Sequence, residues 1–196
     1  MRLERGLDIC VILVPNNALL KRLDLNCGWY NVDMRLTSKK YPRGTRVGGI
    51  VLSKDKAKVA VIERNRDSRH YFVFPGGGAE DFDKSILDTL RREMKEEIGV
   101  DVFNERKMYT LLITGHGRQL FFICETENEN LQLTGEEVAK NSAIDQYKPV
   151  WVNISEISSL PLFPIEIRDW LVEDFKKGVF VPREQKFESI ESMKKQ

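Results

Sequence analysis

Residues 76–100 read GGGAEDFDKSILDTLRREMKEEIGV. Three consecutive glycines open the stretch, a short acidic loop follows, and a helical pattern fills the rest. Ser85 is a candidate N-cap, with Asp88 three residues on as an imperfect capping box. At about 3.6 residues per turn, Leu87, Leu90, Met94 and Ile98 share one apolar face, and Glu93, Glu96 and Glu97 share the adjoining one. Gly99 stands where a left-handed residue ends a helix. Three glutamates within five residues of one helix repel one another unless something positive sits among them. A divalent cation answers that need. So does a solvated face on which Arg91, Arg92 and Lys95 pair with the glutamates at helical spacing, and acid density alone favours this plainer reading.

The flanks read as a sheet. Residues 47–52 and 58–63 are apolar strands joined by the charged turn 53–56, a hairpin. Arg64, Arg66, Arg69 and His70 follow as a polar loop, and a short strand at 71–74 stops at Pro75. Beyond the helix, residues 109–113 and 120–124 are strands flanking the turn Gly115-His116-Gly117. Residues 149–152 form another short strand, 154–160 a helical turn, and 165–177 an amphipathic helix with Trp170, Leu171 and Phe175 facing the core. The chain after Pro182 is charged and is expected to fray. Residues 1–44 carry two β-rich runs, 9–14 and 29–34, with turn signals at 15–17 and 41–44.

Composition sets the bounds. Of 196 residues, 41% are hydrophobic and 31% charged, enough apolar material for a core. A formal net charge of +1 supplies no global field for nucleic acid or an anionic membrane. Cys10, Cys27 and Cys124 form no paired motif, so three reduced thiols in a cytoplasmic protein are expected. The apolar run 9–14 is too short for a signal peptide or a membrane span.

Hard divalent cations prefer carboxylate oxygens and commonly bridge a few of them to substrate phosphates. Glycines let a backbone approach such a ligand closely. Together the two features suit a pyrophosphate, with water as the attacking group.

The stretch resembles the Nudix box of the Nudix hydrolase family, whose pattern is G-x5-E-x7-R-E-U-x-E-E-x-G-U, with U aliphatic. Gly78 matches the first glycine, and residues 92–100 match the whole second half. The lead-in Phe72-Val73-Phe74-Pro75-Gly76-Gly77 and the strand Pro149-Val150-Trp151-Val152 are also similar to the family's. One position departs: Lys84 stands where the pattern has a glutamate that supports the metal site, and Glu80, Asp81 and Asp83 are nearby acids able to compensate.

The resemblance implies an α/β fold of the Nudix type, a mixed sheet sandwiched between helices. That domain spans residues 45–180, with a β-rich N-terminal extension at 1–44 and a charged C-terminal tail at 181–196. Carried over position by position, it implies Mg²⁺ or Mn²⁺ held by Glu93, Glu96 and Glu97 beside Gly77. Glu93 is a ligand or the base, and Arg92 orients a glutamate. The general base in this family also comes from loops outside the box, which makes Glu136 and Glu137 candidates, Glu137 first. Arg64 and Arg66, ranked above Arg69 and Arg118, are candidates for the substrate phosphates, with Gly76 and Gly78 approaching the substrate. The implied function is metal-dependent hydrolysis of a nucleoside diphosphate linked to another group, a nucleoside triphosphate or oxidised nucleotide foremost. The alternative is a Nudix-fold nucleotide-binding or regulatory module with weak or no hydrolysis because of Lys84. A homodimer through residues 1–44 is a further expectation; a long nucleic acid or a membrane is not an expected partner.

Overall fold

A computed structural model of the chain describes residues 44–134, 138–139, 141–142 and 145–194. The expected N-terminal extension, apart from Gly44, lies outside the described residues, as do Glu136 and Glu137.

The described elements run β1 (Thr45–Leu52), β2 (Lys58–Arg66), β3 (Arg69–Val73), α1 (Ile86–Ile98), β4 (Phe103–Ile113), β5 (Gly117–Glu125) and β6 (Asp145–Asn153). A 3-10 turn (Ile157–Ser159), β7 (Leu162–Phe163), α2 (Ile165–Lys177), β8 (Arg183–Phe187) and α3 (Ile190–Lys194) follow. The strands make one mixed sheet in the order β7-β3-β2-β1-β5-β4-β8, with β6 on β2. β1 lies parallel to β5 over its whole length and is buried at every position but Arg46, as expected of a strand covered on both faces.

Strand alternation sends side chains to two cores. Val47, Val51, Ala60, Ile62, Leu120 and Phe122 pack against Leu90, Met94 and Ile98 of α1. Ile50, Leu52, Val59, Val61, Phe121 and Ile123 pack against Ile167 and Leu171 of α2. The sheet is therefore sandwiched between helices, the α/β arrangement expected. The ends of α1 are also those expected. Ser85 accepts a hydrogen bond from the Asp88 N–H at 3.1 Å, and Gly99 closes the helix at φ 73°.

Two expectations are corrected. Arg64, Arg66, Arg69 and His70 do not form a loop. β2 and β3 continue through them to a two-residue turn, Asp67-Ser68, and Arg66 faces Arg69 across it. Both turn residues have positive φ, 50° and 63°, the conformation that suits strand twist in a tight hairpin but is usually signalled by Asn-Gly. Nor are residues 183–194 frayed. β8 lies parallel to β4, and Phe187 is buried in the α2-side core. Its other residues are polar because an edge strand buries little, so the sequence carries almost no apolar alternation there.

Candidate functional site

β1 and β2 are in register only at Leu52 opposite Val59 and splay apart beyond the hairpin turn. The edge of β1 left open is taken by the glycine loop. Val47 N–H donates to the Gly77 carbonyl at 2.9 Å, Gly49 N–H to the Pro75 carbonyl at 2.8 Å, and Ala79 N–H to the Thr45 carbonyl at 3.2 Å. Gly76 adopts φ 151°, and a Cβ there would lie 2.1 Å from the Val47 oxygen, so no other residue fits. At Gly77 a Cβ would lie 2.3–2.4 Å from the Glu93 carboxyl group. The glycine is what lets that carboxylate lie against the loop.

Arg92 is the hub of the site. Its Nε and Nη2 donate to Asp83 Oδ1 and Oδ2 at 3.1 and 2.9 Å, and Nη2 also reaches the Gly78 carbonyl at 3.0 Å. Nη1 donates to Glu93 Oε1 at 2.8 Å and to Glu96 Oε2 at 3.1 Å. Asp83 Oδ2 accepts in addition from Thr89 Oγ1 and the Glu80 N–H, both at 2.9 Å. The bidentate grip of Asp83 on a partly buried guanidinium raises the Arg92 pKa further. Burial pushes Asp83 up, but the hydrogen bonds from Arg92, Glu80 and Thr89 outweigh it and hold its pKa below the ordinary value. Burial dominates at Glu93, whose pKa is raised despite Arg92.

Lys84, the residue that departs from the box pattern, is exposed and makes no ion pair among the described residues. The acid that meets Arg92 is its neighbour Asp83.

Glu97 accepts a hydrogen bond from the Gly76 N–H. Glu93, Glu96 and Glu97 thus stand beside the glycine loop, and in kind they suit a hard cation: several carboxylates on one face with backbone carbonyls near. Among the described residues no group of three or more His, Cys, Asp or Glu side chains is arranged to hold a metal ion as it stands. Arg92 engages Glu93 and Glu96, and the loop engages Glu97.

A cleft of about 310 Å³ opens beside this face where β1 and β2 part. Gly76 and Glu97 line its α1 side, and Phe121, Glu166 and Met193 its α2 side. Arg46 and Arg64 line it too. Arg46 Nη2 lies 3.4 Å from the Gly76 carbonyl. Arg64 Nη2 donates to Asp145 Oδ1 at 3.0 Å and to the Tyr147 hydroxyl at 2.5 Å, and the guanidinium stacks 4.0 Å from the Tyr147 ring centre. Glu166, in the first turn of α2, is buried, and burial raises its pKa.

Of the residues expected at the site, the fold gathers Arg92, Glu93, Glu96, Glu97, Gly76, Gly77 and Gly78 in one place, and Arg64 in the adjoining cleft. Arg66 is not brought there. It is half-exposed and pairs with Asp67 and Asp145 at 3.5 and 3.6 Å. Sequence reasoning missed Arg46, Glu166 and Met193. For Glu166 a signal existed, because it falls one helical turn before Trp170, an acid in an apolar stripe.

The family model of the NUDIX domain matches residues 42–173. The chain belongs to the Nudix family. Its place there is among hydrolases of nucleotide-linked pyrophosphates, which in general use divalent metals. No curated protein matches it. Solved structures of the same fold include a NUDIX hydrolase from Nitrosomonas europaea, at 14% identity and TM-score 0.57, covering 76% of this chain and 82% of that one. Another is MutT, described from Aliivibrio salmonicida and Vibrio cholerae, at 20% identity and TM-score 0.51, covering 66% and 95%. A third is the NUDIX domain of Shewanella oneidensis NrtR complexed with ADP ribose, at 16% identity and TM-score 0.50, covering 72% and 91%. At these identities the likeness speaks for the fold.

Proposed function

We propose that this Nudix domain hydrolyses the pyrophosphate bond of a nucleoside diphosphate linked to another group, with Mg²⁺ or Mn²⁺ held by Glu93, Glu96 and Glu97 beside Gly77. A nucleoside triphosphate or an oxidised nucleotide stands first within that class, and ADP-ribose, the ligand of the Shewanella domain, belongs in the same panel. The observation that carries the reading is the Arg92 hub, which ties the three-glutamate face of α1 to the glycine loop at the wall of a substrate-sized cleft.

When bound, such a cation supplies charge neutralisation on phosphate oxygens and lowers the pKa of an attacking water. The protein's own groups do the rest. Gly76 lets the loop seat on β1 and Gly77 lets Glu93 lie against it, while Gly78, with nothing within 4 Å of its open side, leaves room for the phosphates. Arg92 is a positioning residue that fixes Glu93 and Glu96. Arg46, which adjoins the box, suits the phosphate charge better than Arg64, whose guanidinium is already committed to Asp145 and Tyr147. Glu137 is the proposed general base, with Glu136 as the alternative and Glu93 as ligand or base.

The alternative of an inactive binding module rested on Lys84. Asp83 counts against that motive, because it gives Arg92 a buried carboxylate partner one residue earlier. A cytoplasmic nucleotide pool and a homodimer through residues 1–44 complete the proposal; light scattering on the full chain and on residues 42–196 reads the latter. The function itself is tested by pyrophosphate and phosphate release from the nucleotide panel with and without Mg²⁺. Metal-dependent release from at least one substrate is expected, and a chain that binds nucleotides but cleaves none would overturn it.

A further inference from the structure

Phe82 is the most exposed large apolar side chain among the described residues, with 71% of its surface open. It stands in the loop between the glycines and α1 and belongs to neither apolar core. That loop is closed on itself. The Asp83 N–H donates to the Glu80 carbonyl at 3.2 Å, and the Glu80 N–H donates to Asp83 Oδ2 at 2.9 Å. Asp83 is turned inward to Arg92, and the residue before it is left facing outward. One exposed phenylalanine is ordinary on a protein surface. This one has a specific neighbour: its ring centre lies 5.4 Å from the guanidinium carbon of Arg92.

The contact uses the part of Arg92 that hydrogen bonds leave open. A guanidinium carries five N–H groups, all in its plane. Here they meet five acceptors: Asp83 Oδ1 and Oδ2, the Gly78 carbonyl, Glu93 Oε1 and Glu96 Oε2. With the edge full, what is left for the ring is a flat face. An aromatic ring attracts a cation through its quadrupole, and the attraction grows as water is excluded. Without the ring that attraction is lost, and water reaches the face of the guanidinium. Glu96, with a side chain 43% exposed against 10% for Glu93, has the more to gain from a partner held still.

We propose that Phe82 is a positioning residue for the metal site, its ring covering one face of Arg92 and so holding the guanidinium in the plane from which it sets Glu93 and Glu96. This rests on the reading of those glutamates as metal ligands. The loop then supplies two neighbouring residues to one guanidinium: Asp83 takes the edge and Phe82 the face.

The test is Mn²⁺ affinity in the absence of substrate, read from the electron paramagnetic resonance signal of free Mn²⁺, in wild type, Phe82→Leu and Phe82→Tyr. Leucine keeps an apolar side chain but has no π face, whereas tyrosine keeps the face. Phe82→Leu is expected to weaken Mn²⁺ binding about two- to fivefold, and Phe82→Tyr to bind as wild type does. Both positions being exposed, both variants should melt within a few degrees of wild type. In an Arg92→Gln background, where no cation lies against the ring, Phe82→Leu should have no further effect. Should Arg92→Gln fail to fold, the two single variants carry the test. Unaltered affinity in Phe82→Leu, equal losses in the leucine and tyrosine variants, or a loss that persists beside Arg92→Gln would overturn the proposal. Metal binding without hydrolysis of any nucleotide would count against the proposed function alone. Unaltered affinity in Phe82→Leu would count against the role of Phe82 alone, and a wild type that binds no Mn²⁺ against both.

Discussion

Replacing Asp83 by Asn tests whether this carboxylate, one residue before the box position, is what holds Arg92. Asp83 accepts four hydrogen bonds, two from Arg92 at 3.1 and 2.9 Å and one each from Thr89 and Glu80 at 2.9 Å. An amide keeps the shape but offers one acceptor oxygen and turns N–H groups toward Arg92. Breaking a buried ion pair from one side costs about 3–5 kcal/mol. Arg92 keeps Glu93, Glu96 and the Gly78 carbonyl, and its side chain is 17% exposed, so about 2–3 kcal/mol is expected. For a domain of this size that lowers Tm by about 5–10 °C in a calorimetric melt. Exposed Lys84→Glu should stay within about 0.5 kcal/mol of wild type. With Glu93 and Glu96 less well held, Asp83→Asn should also lose about 10–100-fold in activity. If Asp83→Asn melted with wild type while Lys84→Glu lowered the Mg²⁺ requirement, the assignment of Asp83 would be wrong.

Gly77→Ala places a methyl 2.3–2.4 Å from the Glu93 carboxyl group. It should cost about 1–3 kcal/mol and raise the Mg²⁺ concentration for half-maximal activity, whereas Gly78→Ala, with open space around it, should melt within about 0.5 kcal/mol of wild type. Glu166 has its pKa raised by burial, so it favours the fold only while protonated, and that stability is lost as pH rises through the folded pKa. Glu166→Gln should therefore gain about 1 kcal/mol, or about 2–4 °C in Tm, near pH 7, with the gap to wild type closing as pH falls through the raised folded pKa toward the ordinary carboxyl value of about 4. Parallel melts at several pH values read this, and a gap independent of pH would refute it.

How far the sequence reached depended on the range of the interaction. The box was legible because its fixed positions lie on one helix and one turn, where Ser85, Gly99 and the spacing of Glu93, Glu96 and Glu97 are local facts. Its partner for Arg92 was less so. A pattern aligns by position, whereas a guanidinium selects by reach, and the loop before α1 presents Asp83 rather than residue 84. The Asp67-Ser68 turn lacked its usual residues, so β2 and β3 seemed to end early and Arg66 seemed available to the site. β8 was hidden because an edge strand held by Phe187 and by the Tyr109–Asp174–Arg183 network needs little apolar sequence. Arg46, Glu166 and Met193 come from three distant segments, and only the folded sheet brings them to one cleft.

Turnover of the best nucleotide substrate as a function of Mg²⁺, in wild type and in Glu96→Gln and Glu97→Gln, decides whether the α1 carboxylates hold a catalytic metal. Saturable metal dependence in wild type is expected, with each variant losing at least about 100-fold in kcat while melting within a few degrees of wild type. Metal-independent turnover, or full activity in both variants, would contradict it.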